Sequence, residues 1–140
     1  MTRSALVSAL ALAATTFVAM PAQAAPASIA GEWKADDGRS VLQFSECGAA
    51  MCGKISQILV AQPAGGARDA NNPDQSKRDR KLAGLRIFWD LSADGTKYKG
   101  KGYDPDEGRY FDAQVWRSGN QLKVKGCVLL FCRTASFTRT

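Results

Sequence analysis

The stretch that decides the fold covers residues 85–117 and reads LRIFWDLSADGTKYKGKGYDPDEGRYFDAQVWR. It contains three segments in which apolar and polar residues alternate (residues 85–91, 97–103 and 109–117), separated by the turn sequences SADG and DPDEG. Period-two alternation is typical of β-strands with one buried face, and Gly, Pro and Asp favour tight turns. The stretch therefore predicts three consecutive antiparallel strands.

The same pattern continues on both sides of this stretch. Residues 31–35, 39–46 and 52–60 predict three earlier strands, and residues 121–126 and 133–140 predict two later ones. Eight strands with mostly short connections favour antiparallel neighbours, and eight such strands can close on themselves. We therefore expect an all-β fold, a single eight-stranded antiparallel up-and-down barrel of the lipocalin or calycin type. A sandwich of two open sheets is the alternative.

The N-terminal segment predicts a signal peptide. Arg3 precedes an apolar run over residues 5–20, which ends in Pro21-Ala22-Gln23-Ala24. A positive start, an apolar stretch and a small-x-small exit are typical of secretory signals. A membrane anchor is the alternative, but the run is short for a hydrocarbon core of ~30 Å. We expect residues 1–24 to be cleaved and residues 25–140 to form one periplasmic domain without a transmembrane segment.

The four cysteines, Cys47, Cys52, Cys127 and Cys132, form two C-x4-C pairs. An even count in an exported protein predicts two disulfides, whereas structural zinc and catalytic dithiols favour the tighter C-x2-C spacing. In an up-and-down barrel the second-to-third and seventh-to-eighth turns lie at opposite ends, too far apart for cross-pairing. The expected bridges are therefore local, Cys47–Cys52 and Cys127–Cys132.

Composition excludes several function classes. The sequence has no histidine, which removes Ser-His-Asp and Cys-His catalysis and histidine-bound zinc or haem. The formal net charge is +6, and alternate lysines predict a basic outer stripe that is either an ordinary solvated face or attractive to anionic lipid or polysaccharide. Nucleic acid is not an expected partner, because no aromatic stacking positions are interleaved with the stripe. The stripe consists of Lys97, Lys99, Lys101, Lys123 and Lys125.

One connection is much longer than the others. Residues 61–83 lie between the third and fourth strands and show no strand period. Connections beyond about 12–15 residues in a compact domain are usually functional or disordered. Because strand direction alternates, this loop should lie at the same barrel end as Asp36, Asp37, the turn at residues 104–108 and the second disulfide. We call that end the mouth.

Several motifs resemble an exported bacterial family known as domain of unknown function 2147. They are Gly31-x-Trp33, Gly53-Lys54-Ile55, Asp69-x-x-Asn72-Pro73-Asp74, Arg80-x-Leu82-x-Gly84, Tyr103-Asp104-Pro105-x-x-Gly108-x-x-Phe111, Gly126-Cys127 and Thr138-Arg139. The resemblance implies a small lipocalin-like barrel and an exported protein, with no established reaction. The pattern is also similar to that of calycins, which implies that Arg139 or Arg133 covers the indole of Trp33. Trp33 would then plug the closed end rather than touch a ligand.

The candidate ligand-binding residues lie in the long loop and near the mouth, and each has an alternative role. Asp69, Asn72 and Asp74 offer oxygen ligands to a cation such as Ca²⁺, or form an Asx-turn network that shapes the loop. Arg80, like Arg68, clamps an anionic ligand or pairs with acidic residues to pin the loop. We predict no metal and no cofactor. The ligand-binding candidates are Asp69, Asn72, Asp74, Arg80, Tyr103 and Asp104.

Three function classes remain. The first is a non-enzymatic binding module that holds a small apolar, amphipathic or anionic molecule at the mouth. It predicts an interior cavity after packing of five side chains: Ile55, Ile87, Trp89, Phe111 and Val115. The second is a cell-envelope accessory or interaction protein with a filled barrel. The third, least favoured, is a hydrolase with two converging mouth carboxylates among Asp36, Asp37, Asp104, Asp106 and Glu107.

Overall fold

The structure, a computed structural model, describes residues 16–140, and most of its regular structure is β-strand. The predicted signal peptide falls largely on residues 1–15, which lie outside the described residues. Residues 16–30 form no helix or strand, and a single 3-10 turn, Gln75–Lys77, interrupts the long loop. The strands are β1 (Gly31–Ala35), β2 (Ser40–Cys47), β3 (Ala50–Ile58), β4 (Arg86–Asp94), β5 (Lys97–Asp104), β6 (Arg109–Ser118), β7 (Gln121–Val128) and β8 (Phe131–Arg139).

Each strand pairs with the next in antiparallel order, and β1 pairs with β8 to close the barrel. Trp33 lies opposite Leu42 on one side and Arg139 on the other. The predicted eight-stranded up-and-down barrel is confirmed, and the sandwich alternative is wrong. Closure pairs the edges that an open sheet would expose. Within residues 16–140, no helix is long and apolar enough to cross a membrane.

The two disulfides join the cysteines that the strand directions predicted. Cys47 and Cys52 connect the ends of β2 and β3, with their Cα atoms 5.9 Å apart. Cys127 and Cys132 face each other across β7 and β8, with their Cα atoms 4.1 Å apart. Local pairing is therefore confirmed, and both bridges are compatible with the oxidising compartment that the predicted export would imply.

The β7–β8 hairpin is longer than predicted. We expected β7 to end at residue 126 and β8 to begin at residue 133, with the two cysteines flanking the turn. The strands instead continue to Val128 and from Phe131, leaving only Leu129 and Leu130 as the turn. The sequence placed a turn between the two cysteines but did not narrow it to Leu129 and Leu130, because neither residue is a usual turn former.

The predicted inward position of Trp89 is wrong. The ladder between β4 and β5 shifts register between Trp89 and Ser92, and Asp90 has a left-handed φ of 53°. This bulge changes the phase of alternation. Phe88 therefore faces the interior, opposite glycines of β3 and β5, while Trp89 packs outside the barrel with its ring centroid 6.2 Å from that of Tyr110.

The interior is divided into a packed lower half and an aromatic middle layer. Trp33, Leu91, Val115 and Leu122 are fully buried near the closed end. Above them, the ring of Phe88 lies 5.3 Å from that of Phe44 and 6.0 Å from that of Phe111. Facing glycines create room for these rings, because a Cβ at Gly53, Gly102 or Gly126 would collide with a phenylalanine ring. The layer forms a floor below the mouth.

Candidate functional site: the barrel mouth

The closed end is sealed by Trp33 and two arginines. The indole Nε1 of Trp33 donates a 2.9 Å hydrogen bond to the carbonyl oxygen of Ile29, which is itself fully buried. The guanidinium of Arg139 lies 4.7 Å from the indole ring centroid, and that of Arg117 lies 5.8 Å away. These cation–π contacts place Trp33 at the base of the barrel, far from any ligand at the mouth. This is the arrangement that the calycin resemblance implies.

The mouth contains a cavity of about 570 Å³. Its walls are mainly apolar: the inner face contributes Leu42, Ile55, Phe88 and Phe111, and the long loop contributes Leu82. Polar groups occur at the rim, from the β1–β2 and β5–β6 turns. Of the five side chains expected to surround a cavity, Ile55, Ile87 and Phe111 line it, Val115 packs below, and Trp89 lies outside the barrel.

A second lobe of about 380 Å³ opens beside β7 and β8. Both lobes are lined by Asp104, Phe111, Val124 and Ala135, so they adjoin one another. The outer part of this lobe is charged. Arg133 and Arg109 both contact the carboxylate of Glu107, at 2.8 Å and 3.9 Å. The site thus combines an apolar interior with an arginine-bearing rim.

The long loop is fastened to the barrel wall by Asp69. Its Oδ1 accepts a 2.6 Å hydrogen bond from the hydroxyl of Tyr103, and its Oδ2 accepts 2.8 Å bonds from Nδ2 of Asn72 and Nε of Arg80. Asp69 and Asn72 are completely buried, and Tyr103 is 1% exposed. We call Asp69, Asn72, Arg80 and Tyr103 the loop anchor.

The anchor carboxylate is compensated by the groups around it. A buried charge is costly unless it is paired and fully hydrogen-bonded. Asp69 meets both conditions, because Arg80 supplies the charge and neutral donors supply two further bonds. Burial, followed by the hydrogen bond to Asp69, raises the pKa of Tyr103 well above its usual value, so this phenol remains a proton donor. Across the described residues, every buried side-chain polar atom has a partner.

Two further contacts hold the loop against the β5–β6 turn. The Asn71 side chain donates to the carbonyl oxygen of Asp106 at 2.9 Å. Gly108 has a φ of 64°, and a Cβ there would overlap the backbone oxygen of Asn71. Only glycine therefore permits this close approach. The Asp-x-x-Asn-Pro-Asp and Tyr-Asp-Pro-x-x-Gly motifs thus meet in space.

Asp74 has a local structural role. Its side chain accepts hydrogen bonds from the backbone N–H and the hydroxyl of Ser76, which caps the 3-10 turn. These bonds, the hydroxyl bond first, lower the pKa of Asp74 below its usual value. Asn72 holds the same segment, since its Oδ1 accepts from the backbone N–H of Asp74 at 2.9 Å. These contacts form the Asx-turn network that the sequence offered as the alternative to a cation site.

The six predicted ligand-binding residues therefore separate into two groups. Asp69, Asn72, Asp74 and Arg80 shape and fasten the loop, with their polar atoms engaged by one another or by the backbone. Only Tyr103 and Asp104 contribute to the cavity wall. Sequence reasoning missed the inward residues of β7 and β8, notably Val124 and Ala135. Their signal was present in the period-two pattern, which places both on the inner face.

The carboxylates that the sequence offered for metal binding or for hydrolysis are already engaged by other groups. Both Asp69 oxygens already accept from hydrogen-bond donors, one of them cationic, so Asp69 is poorly suited to hold Ca²⁺. Each mouth carboxylate also has its own partner. Asp36 accepts from Thr138, Asp37 and Asp104 accept from backbone N–H groups of their turns, Asp106 lies 3.7 Å from Arg39, and Glu107 contacts two arginines.

Comparison with known proteins agrees with this architecture. A family model described as "Uncharacterized protein conserved in bacteria (DUF2147)" matches residues 31–139. The chain belongs to this family. Its matched region begins at β1 and includes every strand, the long loop and all four cysteines. The resemblance to this family that the sequence motifs indicated is therefore confirmed.

A solved structure supports the fold assignment. The chain is similar to Helicobacter pylori protein HP1028, described as belonging to the lipocalin family, with a TM-score of 0.71 and 20% sequence identity. The alignment covers 81% of this chain and 83% of the other. At this identity the likeness shows a shared lipocalin-like barrel. No curated protein matches the sequence.

Proposed function

We propose that this protein is an exported, non-enzymatic carrier that binds a small apolar or amphipathic molecule at the barrel mouth. The observation that carries the proposal is the cavity of about 570 Å³ with mainly apolar walls. Ligand sites are typically concave, mainly apolar and about 300–1,000 Å³ in volume, with a few polar groups. A filled barrel, which the accessory-protein alternative predicts, would have no such space.

The rim indicates how an amphipathic ligand would be oriented. The deep part of the cavity meets the Phe88 and Phe111 rings, while Arg109 and Arg133 stand at the outer lobe. An apolar group would gain from leaving water inside, and a polar or anionic head would remain at the arginines. Glu107 competes for both guanidinium groups, so the rim also accepts neutral polar heads.

The loop anchor supports this function indirectly. Leu82, Ala67 and Gln62 of the loop line the cavity, so the loop completes one wall. The backbone N–H of Leu82 donates to the carbonyl oxygen of Ala67 at 3.0 Å, which keeps the two arms of the loop together. A wall made by a fastened loop gives a largely pre-formed site and lowers the ordering cost of binding.

The proposed location is the periplasm. The apolar N-terminal run with its small-x-small exit supports export, and the two disulfides suit an oxidising compartment. We propose binding rather than catalysis because the rim carboxylates are engaged by turns and arginines.

Native mass spectrometry of protein purified from the periplasm without denaturation tests this function. The expected result is an additional mass of a small molecule that disappears after the protein is denatured and refolded. The matched control is the Ala135→Trp variant, in which an indole would occupy the space shared by the two lobes. A bare mass in the native protein, or equal added mass in the variant, would contradict the proposal.

A further inference from the structure

An exposed apolar segment forms the β7–β8 turn at the mouth end of the barrel. Leu129, Leu130 and Phe131 are 91%, 95% and 82% exposed, and neighbouring Val128 is 39% exposed. We call residues 128–131 the apolar tip. Single exposed apolar residues are normal, but contiguous apolar patches on soluble proteins usually mark contact sites. These side chains take no part in the core of the barrel.

The backbone of the tip is unfavourable for the residues it carries. Leu129 has a φ of 55°, a left-handed conformation that suits glycine or asparagine. Two-residue hairpin turns strongly prefer those residues for this reason. A leucine there strains the turn and exposes apolar surface, so it does not serve folding. Local rules are usually broken at functional positions.

The disulfide fixes how the tip is presented. Cys127 and Cys132 are directly opposite each other and are bonded immediately below Val128 and Phe131. The disulfide leaves only the four residues of the apolar tip between the two bonded cysteines. A segment this short cannot fold its two leucines back onto the barrel wall. Val128 and Phe131 also line the outer lobe of the cavity. The tip is therefore a rigid apolar projection at the cavity entrance.

Positive charge surrounds the base of the tip. Arg133 follows the disulfide, Arg109 lines the same lobe, and Lys125 precedes it on β7. Two acids line the same lobe: Glu107, which contacts both arginines, and Asp104, which lies opposite Arg109 across β5 and β6. Asp112, the next acid on β6, pairs with a lysine of β5. The three cations therefore exceed the two acids of the lobe by one charge. An apolar projection with a net positive base suits an anionic lipid surface.

We propose that the apolar tip inserts into the headgroup–acyl boundary of an anionic lipid bilayer and holds the cavity entrance against it. A second copy of this chain fits less well, because three side chains on a convex turn offer less than the roughly 800 Å² that each partner buries in a stable interface. A bilayer surrounds such a projection on all sides. This inference does not depend on the proposed function, since the tip would dock whether the cavity is occupied or empty.

Flotation with lipid vesicles tests the proposal. Protein recovered from the periplasm is mixed with vesicles of three parts phosphatidylethanolamine to one part phosphatidylglycerol, or with phosphatidylcholine alone. The wild-type protein should float with the anionic vesicles and bind the neutral ones more weakly. Removing one inserted leucine should weaken partitioning at least about tenfold. Leu130→Ser is therefore the first variant.

Leu129→Asn separates binding from folding. Asparagine tolerates the left-handed backbone, so this variant should melt at the same temperature as the wild type or higher, yet lose vesicle binding about tenfold. Leu59→Ser is the matched control, because Leu59 is 43% exposed at the same barrel end but lies outside the tip. It should change binding less than about threefold.

Three results would overturn the proposal. The first is absence of wild-type binding to the anionic vesicles, and the second is a Leu129→Asn variant that binds as well as the wild type. The third is a dimer in gel filtration that Leu130→Ser dissociates, which would assign the tip to a second copy of the chain. None of these results concerns the cavity. If the membrane-docking proposal fails, the native mass measurement still tests the proposed ligand binding separately.

Discussion

The hydroxyl of Tyr103 donates a 2.6 Å hydrogen bond to Oδ1 of Asp69, joining residues 34 positions apart in the sequence. Tyr103 lies near the end of β5, and Asp69 lies in the loop between β3 and β4. One buried bond therefore attaches the long loop to the barrel wall. Because the same loop supplies Leu82 to the cavity, the bond also fixes one side of the proposed site.

The carboxylate at the centre of the anchor should control attachment of the loop. Asp69→Ala removes the acceptor for Tyr103, Asn72 and Arg80, and leaves buried donors without partners. The unfolding free energy should fall by about 3 kcal/mol, because removing one partner of a buried ion pair destabilises a protein by an amount of that order. The barrel should keep its β circular dichroism, while limited proteolysis near Gly65-Gly66 becomes faster.

The matched control is Asp79→Ala, which removes an exposed carboxylate from the same loop. It should be cleaved at the wild-type rate. Arg80→Ala should resemble Asp69→Ala, because it leaves the buried carboxylate without its charge partner. If Asp69→Ala and Asp79→Ala are cleaved at the same rate, the anchor does not hold the loop.

Alkaline stability should depend on Tyr103. The unfolded phenol ionises near its usual pKa of about 10, whereas burial and Asp69 keep the folded phenol protonated to higher pH. Above about pH 10 the unfolded state therefore binds fewer protons than the folded state, and this group's contribution to stability falls as pH rises. Tyr103→Phe lacks this titration but loses the hydrogen bond, at a cost of about 1–3 kcal/mol.

The readout is denaturant unfolding of wild type and Tyr103→Phe from about pH 8 to about pH 11. At the lower pH the wild type should be more stable than Tyr103→Phe. The difference in unfolding free energy between the two proteins should shrink at the higher pH. Lysines titrate in the same range but are common to both proteins. Parallel stability curves would show that the tyrosine pKa is not raised by folding.

The closed end should depend on Arg139. Arg139→Ala removes the cation over Trp33 and the hydrogen bond from Nη1 to the carbonyl oxygen of Ala30 at 3.1 Å. We expect a loss of about 1–2 kcal/mol in unfolding free energy, with ligand binding at the mouth unchanged. Arg139→Lys should recover part of the loss, because an ammonium still faces the indole.

Denaturant unfolding with tryptophan fluorescence measures this effect. Arg133→Ala is the comparison, because Arg133 lies on the same strand but contacts Glu107 at the opposite end of the barrel. It should change stability by less than about 1 kcal/mol, as exposed ion pairs do. Equal losses from both variants would argue against a special role for the Trp33–Arg139 contact.

Much of the barrel follows from the sequence because its signals are local. Strands β5 and β6 alternate regularly between turns rich in Asp and Gly, and their predicted ends agree closely with the structure. Strand order then determined the disulfide pairing. Trp89 was misplaced because alternation assumes a continuous ladder, and the bulge at Asp90 depends on pairing with β5 rather than on neighbouring residues.

The site was less predictable because its contacts are long-range. The sequence identified Asp69, Asn72 and Arg80 as a group, but their use as an anchor depends on Tyr103, which approaches only after β5 has paired. The apolar tip was also missed, although the sequence placed Leu129 and Leu130 in the connection between β7 and β8. Only the hairpin register shows that these two residues alone form the turn and that their side chains are exposed.

The most direct test of the central claim is a titration with the fluorescent apolar probe N-phenylnaphthylamine. We predict saturable binding at one site. Ala135→Trp should weaken it at least about tenfold, because an indole in the shared part of the two lobes displaces the probe. Ala93→Trp, the same change at an exposed position near the closed end, should bind as the wild type does. Equal affinity in Ala135→Trp and the wild type would contradict a ligand site in the mouth of the barrel.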